Sequence, residues 1–193
     1  PKWIRPHAEE LDKERFQTIF AAKEGAVSCP AAGLHFSREL FKRMEIKGVD
    51  SQYITLHMGL GHFRKVDVED LSKHKMDSEP MEITPEVAER INEARDSGHK
   101  IFAVGVTVAR ALETPVTTTR RVKPYNGWTN KFIFPPYDFV MPDALVTNFH
   151  LPQSTMLMMA TAFGGFDKVM KAYKVALKEG YKFGTYGDAM LII

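Results

Sequence analysis

The stretch ITPEVAERINEARDSGHKIFAVGVT, residues 83–107, decides the fold class. Thr84 is placed to cap a helix and Pro85 to take its first position, where the missing N–H would have had no partner anyway. Val87, Ile91 and Ala94 then share one helical face, Gly98 closes the helix, and KIFAVG supplies a buried strand. The VTVARALE that follows begins a second helix. Residues 105–107 therefore form a strand-to-helix turn whose backbone N–H groups can meet a polar or anionic ligand. Helix, strand and helix in this order predict an α/β domain.

Outward from that unit the alternation continues. Ser37 is a helix N-cap ahead of Leu40, Phe41 and Met44, which point inward, and Gly48 ends that helix. SQYITLHM, residues 51–58, reads as a strand, and KFIFPPYDFVMPDALVT as two short strands around a Pro-Pro break. DALVTNFHLPQSTMLMMATAF, residues 143–163, sets His150 directly before an apolar helix. An amphipathic helix over about 166–179 places Lys168, Lys171, Lys174 and Lys178 on one face and Val169, Met170, Tyr173, Ala176 and Leu177 on the other. The expected architecture is a mixed sheet or barrel-like core flanked by helices. Residues 1–24 read as an arm leading into a domain that spans 25–193.

With 193 residues, 44% of them hydrophobic and 26% charged, the chain can bury one substantial core. Its 26 basic against 24 acidic side chains give only +2, so nucleic-acid binding must come from local clustering. The single cysteine, Cys29, rules out an internal disulfide, and with no leader pattern at the N-terminus the expectation is the cytoplasm. Residues 145–166 are nearly uncharged but carry Asn148, His150, Pro152 and Gln153, which reads as buried protein and not as a membrane span. Seven histidines occur without a cysteine pair or HExxH spacing, so no metal site is expected. No G-x-S-x-G elbow, Walker loop or G-x-G-x-x-G fingerprint is present.

Several polar clusters can carry chemistry. His35 in PAAGLHF and His57 in TLHMGLGHFRKV stand at element ends beside glycines, where α/β proteins hold ligands; both also fit a buried, hydrogen-bonded structural role. HKMDSE groups His74, Asp77, Ser78 and Glu79, able to move protons or bind a hydroxyl-rich ligand, or to form a solvated loop. Thr107, Arg110 and Glu113 recur at three-residue steps, so one helical face presents a guanidinium and a carboxylate, as substrate contacts or as an ion pair. Residues 114–131 read as a loop with Arg120, Arg121, Lys123 and Lys131 interleaved with Tyr125 and Trp128, and no acid. Such a segment can grip a phosphate backbone and stack on a base, or remain solvated. The lysine face at 168–178 reads first as solvated and second as a phosphate track.

Four strings taken together are more specific: GAVSCPAAGLHF (25–36), TLHMGLGHFR (55–64), DALVTNFHLPQSTMLMMATAF and YGDAM (186–190). In this order and spacing the chain resembles the S-adenosylmethionine:tRNA ribosyltransferase-isomerase family of queuosine biosynthesis, from about Ile4 to the C-terminus, HKMDSE and GVTVARALE included. Members of that family are longer and carry an inserted β-barrel domain, which this chain is expected to lack. Ala31 stands where the family commonly has Thr, Val106–Val108 where it has a Thr-Ser pair, and Asp77 where it has a second His.

The resemblance implies transfer and isomerisation of the ribosyl group of S-adenosylmethionine onto 7-aminomethyl-7-deazaguanine at the tRNA wobble position. Epoxyqueuosine forms, and adenine and methionine are released. It implies S-adenosylmethionine as co-substrate with no other cofactor, tRNA with G at the wobble position as partner, no membrane, and a monomeric full-length protein. His35, His57, His150 and Glu79 are the catalytic candidates that it marks. His74, Ser78, Thr107, Arg110, Glu113, Asn148, Ser154, Thr155 and Asp188 are the substrate-binding ones, and Arg120, Arg121, Lys123 and Trp128 would meet tRNA. The alternative is a non-catalytic fragment that keeps only partial adenosyl or RNA binding. A methyltransferase using the same co-substrate is disfavoured by the absent Gly-rich loop.

Overall fold

In the computed structural model, which describes residues 10–193, the helix at the centre of the quoted stretch starts where its cap residue puts it. Thr84 Oγ1 accepts the Val87 N–H at 3.4 Å, Pro85 takes the first helical position, and Gly98 leaves the helix at φ +76°. In chain order the elements are α1 (Asp12–Arg15), α2 (Arg38–Ile46), β1 (Thr55–Leu56), β2 (Glu79–Ile83), α3 (Pro85–Asp96), β3 (Phe102–Val104) and α4 (Val106–Leu112). They continue with β4 (Tyr125–Thr129), β5 (Ala144–Asn148), α5 (Thr155–Gly164), α6 (Phe166–Lys178) and β6 (Ala189–Ile192).

The strands form two three-stranded sheets, β1-β2-β4, all antiparallel, and β3-β5-β6, in which β3 and β5 are parallel and β6 runs antiparallel to β5. The chain is therefore α/β with mixed pairing and flanking helices, and no closed barrel is present among its described residues. The stretch 83–107 bridges the two sheets: it starts at the end of β2, passes through α3 and delivers β3. Since β3 and β5 are parallel, both present their carboxyl ends on one side, at Gly105 and Asn148.

Three apolar clusters hold this together. Met81, Ile83, Ala88, Ile91 and Leu112 pack α3 and α4 onto the first sheet. Ala103, Ala109, Ile133, Leu145 and Met159 join the second sheet to α4 and α5, and Phe149, Val169, Tyr173 and Ala176 seat α6. Each fully buried Ile or Leu contributes roughly 1.5–3 kcal/mol relative to exposure.

Some expectations change. Residues 114–131 are not all loop: β4 pairs along the whole of β2, from Glu79 with Thr129 to Ile83 with Tyr125. YNGWT has weak strand character, and tertiary pairing overrides it. KFIF, by contrast, forms no strand, because no neighbour offers it a ladder; Ile133 is buried without one. Of the strand expected over 51–58, only Thr55–Leu56 forms strand, paired with β2, and the His57 N–H adds one bond to the Pro80 carbonyl at 2.9 Å. α2 buries none of its residues: Phe41 joins Phe20, Phe36 and Tyr53 in an aromatic cluster, while Leu40 stays exposed. On α6, Val169, Tyr173 and Ala176 are buried and the four lysines exposed as expected, but Leu177 faces outward. Of the arm, residues 1–9 lie outside the described residues; the rest packs on the domain through buried Thr18 and a Phe16–Tyr186 ring contact.

Candidate functional site

Glu79, the first residue of β2, is 2% exposed and is the hub of a buried polar cluster. Its Oε1 accepts the Gly59 N–H at 2.6 Å and lies 3.0 Å from His62 Nδ1, while Oε2 pairs with Arg110 Nη2 from α4. Burial alone would raise this carboxyl, yet the His62 hydrogen bond, the Gly59 N–H and the Arg110 guanidinium hold it down at about 2. It is a carboxylate at any ordinary pH. Gly61 lets the 59–63 turn close against Asp77, since a Cβ there would stand 2.4 Å from its carboxylate, and the Gly59 N–H reaches Glu79.

Arg110 is 0% exposed, and its Nε and Nη1 have no hydrogen-bond partner among the described residues. Buried donors of a charged group without partners are costly, and in native proteins they call for an acceptor such as a ligand or water. Thr155 Oγ1, at the start of α5, is likewise buried and unpaired among the described residues.

The end of β5 supplies the second half of the site. Asn148 Oδ1 lies 3.1 Å from His35 Nε2, and its Nδ2 donates to the carbonyls of Gly184 at 3.0 Å, Thr185 at 3.3 Å and Gly187 at 3.4 Å. Just beyond, His150 Nε2 meets Thr147 Oγ1 at 2.7 Å, and its backbone N–H donates to the Tyr173 hydroxyl at 2.8 Å. Desolvation, the larger cause, lowers the His150 imidazole to about 4, so it is neutral at pH 7. A backbone contact joins the two halves of the site. The Val66 N–H bond to the Gln153 carbonyl, at 2.8 Å, ties their loops together. The loop behind Asn148 is tight: a Cβ on Gly187 would stand 2.5 Å from the Lys182 carbonyl oxygen, a backbone atom. Gly187→Ala should destabilise the chain by about 1–3 kcal/mol, read as a lower urea midpoint; an unchanged midpoint would show that the loop yields freely.

The remaining candidates fall in several places. Ser154 caps α5 through the Leu157 N–H at 3.1 Å, and Thr107 is half-buried in the first turn of α4. His57 is half-buried against Gly25, where a Cβ would come within 2.7 Å of its ring. His74 packs on Phe132 with centroids 4.8 Å apart, and Ser78 is exposed beside Asp77, which pairs with Arg64. Glu113 does not pair with Arg110. It is buried and accepts from the Tyr137 hydroxyl and from the backbone N–H groups of Val140 and Met141 at 2.8–2.9 Å, fixing the 137–141 segment. Asp188 accepts the Lys182 N–H at 2.8 Å and closes its own loop. Arg121 is engaged by Asp96 at 2.8 Å, whereas Arg120 and Lys123 are exposed and make no ion pair among the described residues. Trp128 stands 64% exposed on β4, an edge strand.

His62 is the residue that the sequence reading passed over. Its signal was a second histidine in GLGHF, directly after the glycines that bring the turn against Glu79. Among the described residues no cluster of three or more His, Cys, Asp or Glu could hold a metal ion, and no helix is long and apolar enough to cross a membrane.

Comparison with known proteins places this geometry in context. The family described as queuosine biosynthesis protein matches residues 1–192. An S-adenosylmethionine:tRNA ribosyltransferase-isomerase of Bacteroides fragilis is 65% identical over 185 residues, covering 96% of this chain and 53% of its own length. The protein of the same name from Phocaeicola vulgatus is 62% identical over all 193 residues and 55% of its length. The crystal structure of an S-adenosylmethionine tRNA ribosyltransferase from Thermotoga maritima superposes with a TM-score of 0.68 at 41% identity, over 84% of this chain and 51% of that one. The chain thus spans about half the length of the curated relatives it matches.

Proposed function

The chain belongs to the queuosine biosynthesis protein family, and on that premise we propose that it carries the ribosyl-transfer site of an S-adenosylmethionine:tRNA ribosyltransferase-isomerase. The reaction moves the ribosyl group of S-adenosylmethionine onto the aminomethyl nitrogen of 7-aminomethyl-7-deazaguanine in tRNA, isomerises it to the epoxide, and releases adenine and methionine. S-adenosylmethionine is the co-substrate, and no metal or redox group is required.

The observation that carries this reading is the buried His62–Glu79–Arg110 cluster beside a neutral His150, with two Arg110 donors left unpaired among the described residues. Ribosyl transfer of this kind must remove a proton from the 5′ carbon beside the sulfonium, supply one to departing adenine, and exclude water from reactive intermediates. Two imidazoles, one of them next to a fixed carboxylate, are groups that can meet the proton-transfer needs. The apolar helix α5 starts just beyond His150, with Thr155 buried in its first turn and Met159 and Ala160 buried in the core.

The test incubates this chain and the full-length Bacteroides fragilis relative in parallel with S-adenosylmethionine and tRNA bearing the deazaguanine precursor. Adenine and methionine release by both is the expected result, and release by neither sinks the reading. Release by the relative alone favours a second reading, in which this chain keeps only partial adenosyl or RNA binding; its span of about half the relatives' length is the observation behind that alternative.

For tRNA, Arg120 and Lys123 with the exposed Trp128 are the proposed contacts, and Arg121 contributes less because Asp96 holds it. Neutralising Arg120 and Lys123 together should lower the salt slope of tRNA binding by about one unit per lost phosphate contact. An unchanged slope would take these residues out of the interface.

A further inference from the structure

We propose that the cavity beside His35 holds the amino-acid end of S-adenosylmethionine, its carboxylate on Arg15 and its ammonium on a bare His35 Nδ1, with Asn148 as the positioning residue that keeps Nδ1 bare. This rests on the ribosyl-transfer reading above and adds to it an address for one end of the co-substrate.

Asn148 fixes the tautomer. Its side chain is buried, and Nδ2 donates to the carbonyls of Gly184, Thr185 and Gly187, so the amide cannot turn over without setting its own oxygen against three others. Oδ1 therefore faces His35 as an acceptor, and the 3.1 Å contact requires that His35 Nε2 carry the hydrogen. A neutral imidazole has one N–H, so Nδ1 is left with a lone pair. Nδ1 has no hydrogen-bond partner among the described residues, and His35 is exposed.

A cavity of about 210 Å³ opens there, walled by Arg15 from α1, by Leu34 and His35, and by Thr185, Tyr186 and Gly187. Two of the strings that carry the family resemblance, 25–36 and 186–190, thus meet in one place. Size decides how much ligand enters: whole drug-sized ligands fill roughly 300–1,000 Å³, so this cavity admits one end of S-adenosylmethionine. Chemistry decides which end. Arg15 is exposed and forms no ion pair among the described residues, and a guanidinium fork matches a carboxylate. A bare imidazole nitrogen matches an ammonium, which has donors only. Adenine, being uncharged, would leave the guanidinium without a counter-charge, whereas an α-amino carboxylate satisfies both walls. Tyr186 sets Arg15 in place: its hydroxyl donates to Asp12 at 3.0 Å and its ring meets Phe16 edge-on, which holds α1 against the cavity. Wall and tautomer lock are one construction, since Thr185 and Gly187 both line the cavity and accept from Asn148.

The test uses the full-length protein, with adenine release as the readout and S-adenosylmethionine or its decarboxylated analogue as co-substrate. Arg15→Gln should raise KM for S-adenosylmethionine about 10- to 100-fold while kcat stays within about threefold. The analogue should show a similarly raised KM with the unsubstituted protein, and Arg15→Gln should raise it no further. An unchanged KM, or an equal rise for both co-substrates, overturns the proposal. The tautomer is read by nitrogen NMR of the histidine rings at about pH 8.5, where an ordinary imidazole is neutral, with His35→Gln assigning the signal. Hydrogen on Nε2 is expected in the unsubstituted protein, and hydrogen on Nδ1 overturns the lock. Asn148→Ala should mix the two tautomers; an unmixed Nε2–H in the folded variant removes Asn148 from its role, and if the variant unfolds the unsubstituted spectrum decides. Failure of the unsubstituted protein to release adenine and methionine defeats the ribosyl-transfer reading itself, whereas release with a KM insensitive to Arg15 defeats this inference alone.

Discussion

Replacing Arg110 with methionine should lower the unfolding free energy by about 3–5 kcal/mol, because it strands the Glu79 carboxylate in the interior with one cationic partner removed. The His62 bond and the Gly59 N–H remain, but neither brings the permanent charge that offsets burial. Glu79→Gln with Arg110→Met removes both charges and should recover much of the loss, so the double-mutant cycle should show strong coupling. A single-variant loss below about 1 kcal/mol in urea would mean that solvent reaches the pair. The pH dependence has a defined sign. Glu79 titrates at about 2 in the folded chain against an ordinary 4.5, so the unfolded chain binds its proton first. The stability that it contributes is complete above about pH 4.5 and is lost as pH falls toward 2.

This pair also shows where the sequence stopped being informative. Local signals were readable: the Ser37 and Thr84 caps both accept the N–H three residues on, as their spacing required. The strand at 102–104 and the amphipathic helix of residues 166–178 follow from the apolar pattern, although Phe102 is exposed and only Ala103 of that strand is buried. Arg110 and Glu113, in contrast, share a helical face by spacing but part company in the fold. The guanidinium takes a carboxylate 31 residues earlier, and Glu113 takes two backbone N–H groups of a segment 27–28 residues later. Periodicity describes a helix face; it says nothing of what the fold brings against that face. For the same reason β4 was hidden in a polar, Gly-containing run whose only strand signal is its partner β2. His62 was hidden because a histidine in a glycine turn carries no period at all.

On the proposed ribosyl-transfer reading, substituting His150 with alanine should reduce adenine release by about 100- to 10,000-fold while leaving most of the protein folded at neutral pH. The fold loses little because the backbone N–H of residue 150 still donates to Tyr173 and because Thr147 can turn its hydroxyl elsewhere. Stability should respond to pH in a way that identifies the residue. The folded imidazole titrates at about 4 against an ordinary 6.5, so between those values the unfolded chain holds a proton that the folded chain lacks. Stability is therefore complete above about pH 6.5 and declines as pH falls toward 4, by up to about 3 kcal/mol for this residue alone. Urea titrations at several pH values should show that decline in the unsubstituted chain and a flatter profile in His150→Ala. A flatter profile with normal turnover would make His150 a buried structural histidine, and lost turnover with an unchanged profile would mean that its imidazole is hydrated in solution. Only the two losses together fit a desolvated ring that the fold keeps neutral and that the proposed reaction uses, at the edge of an apolar helix.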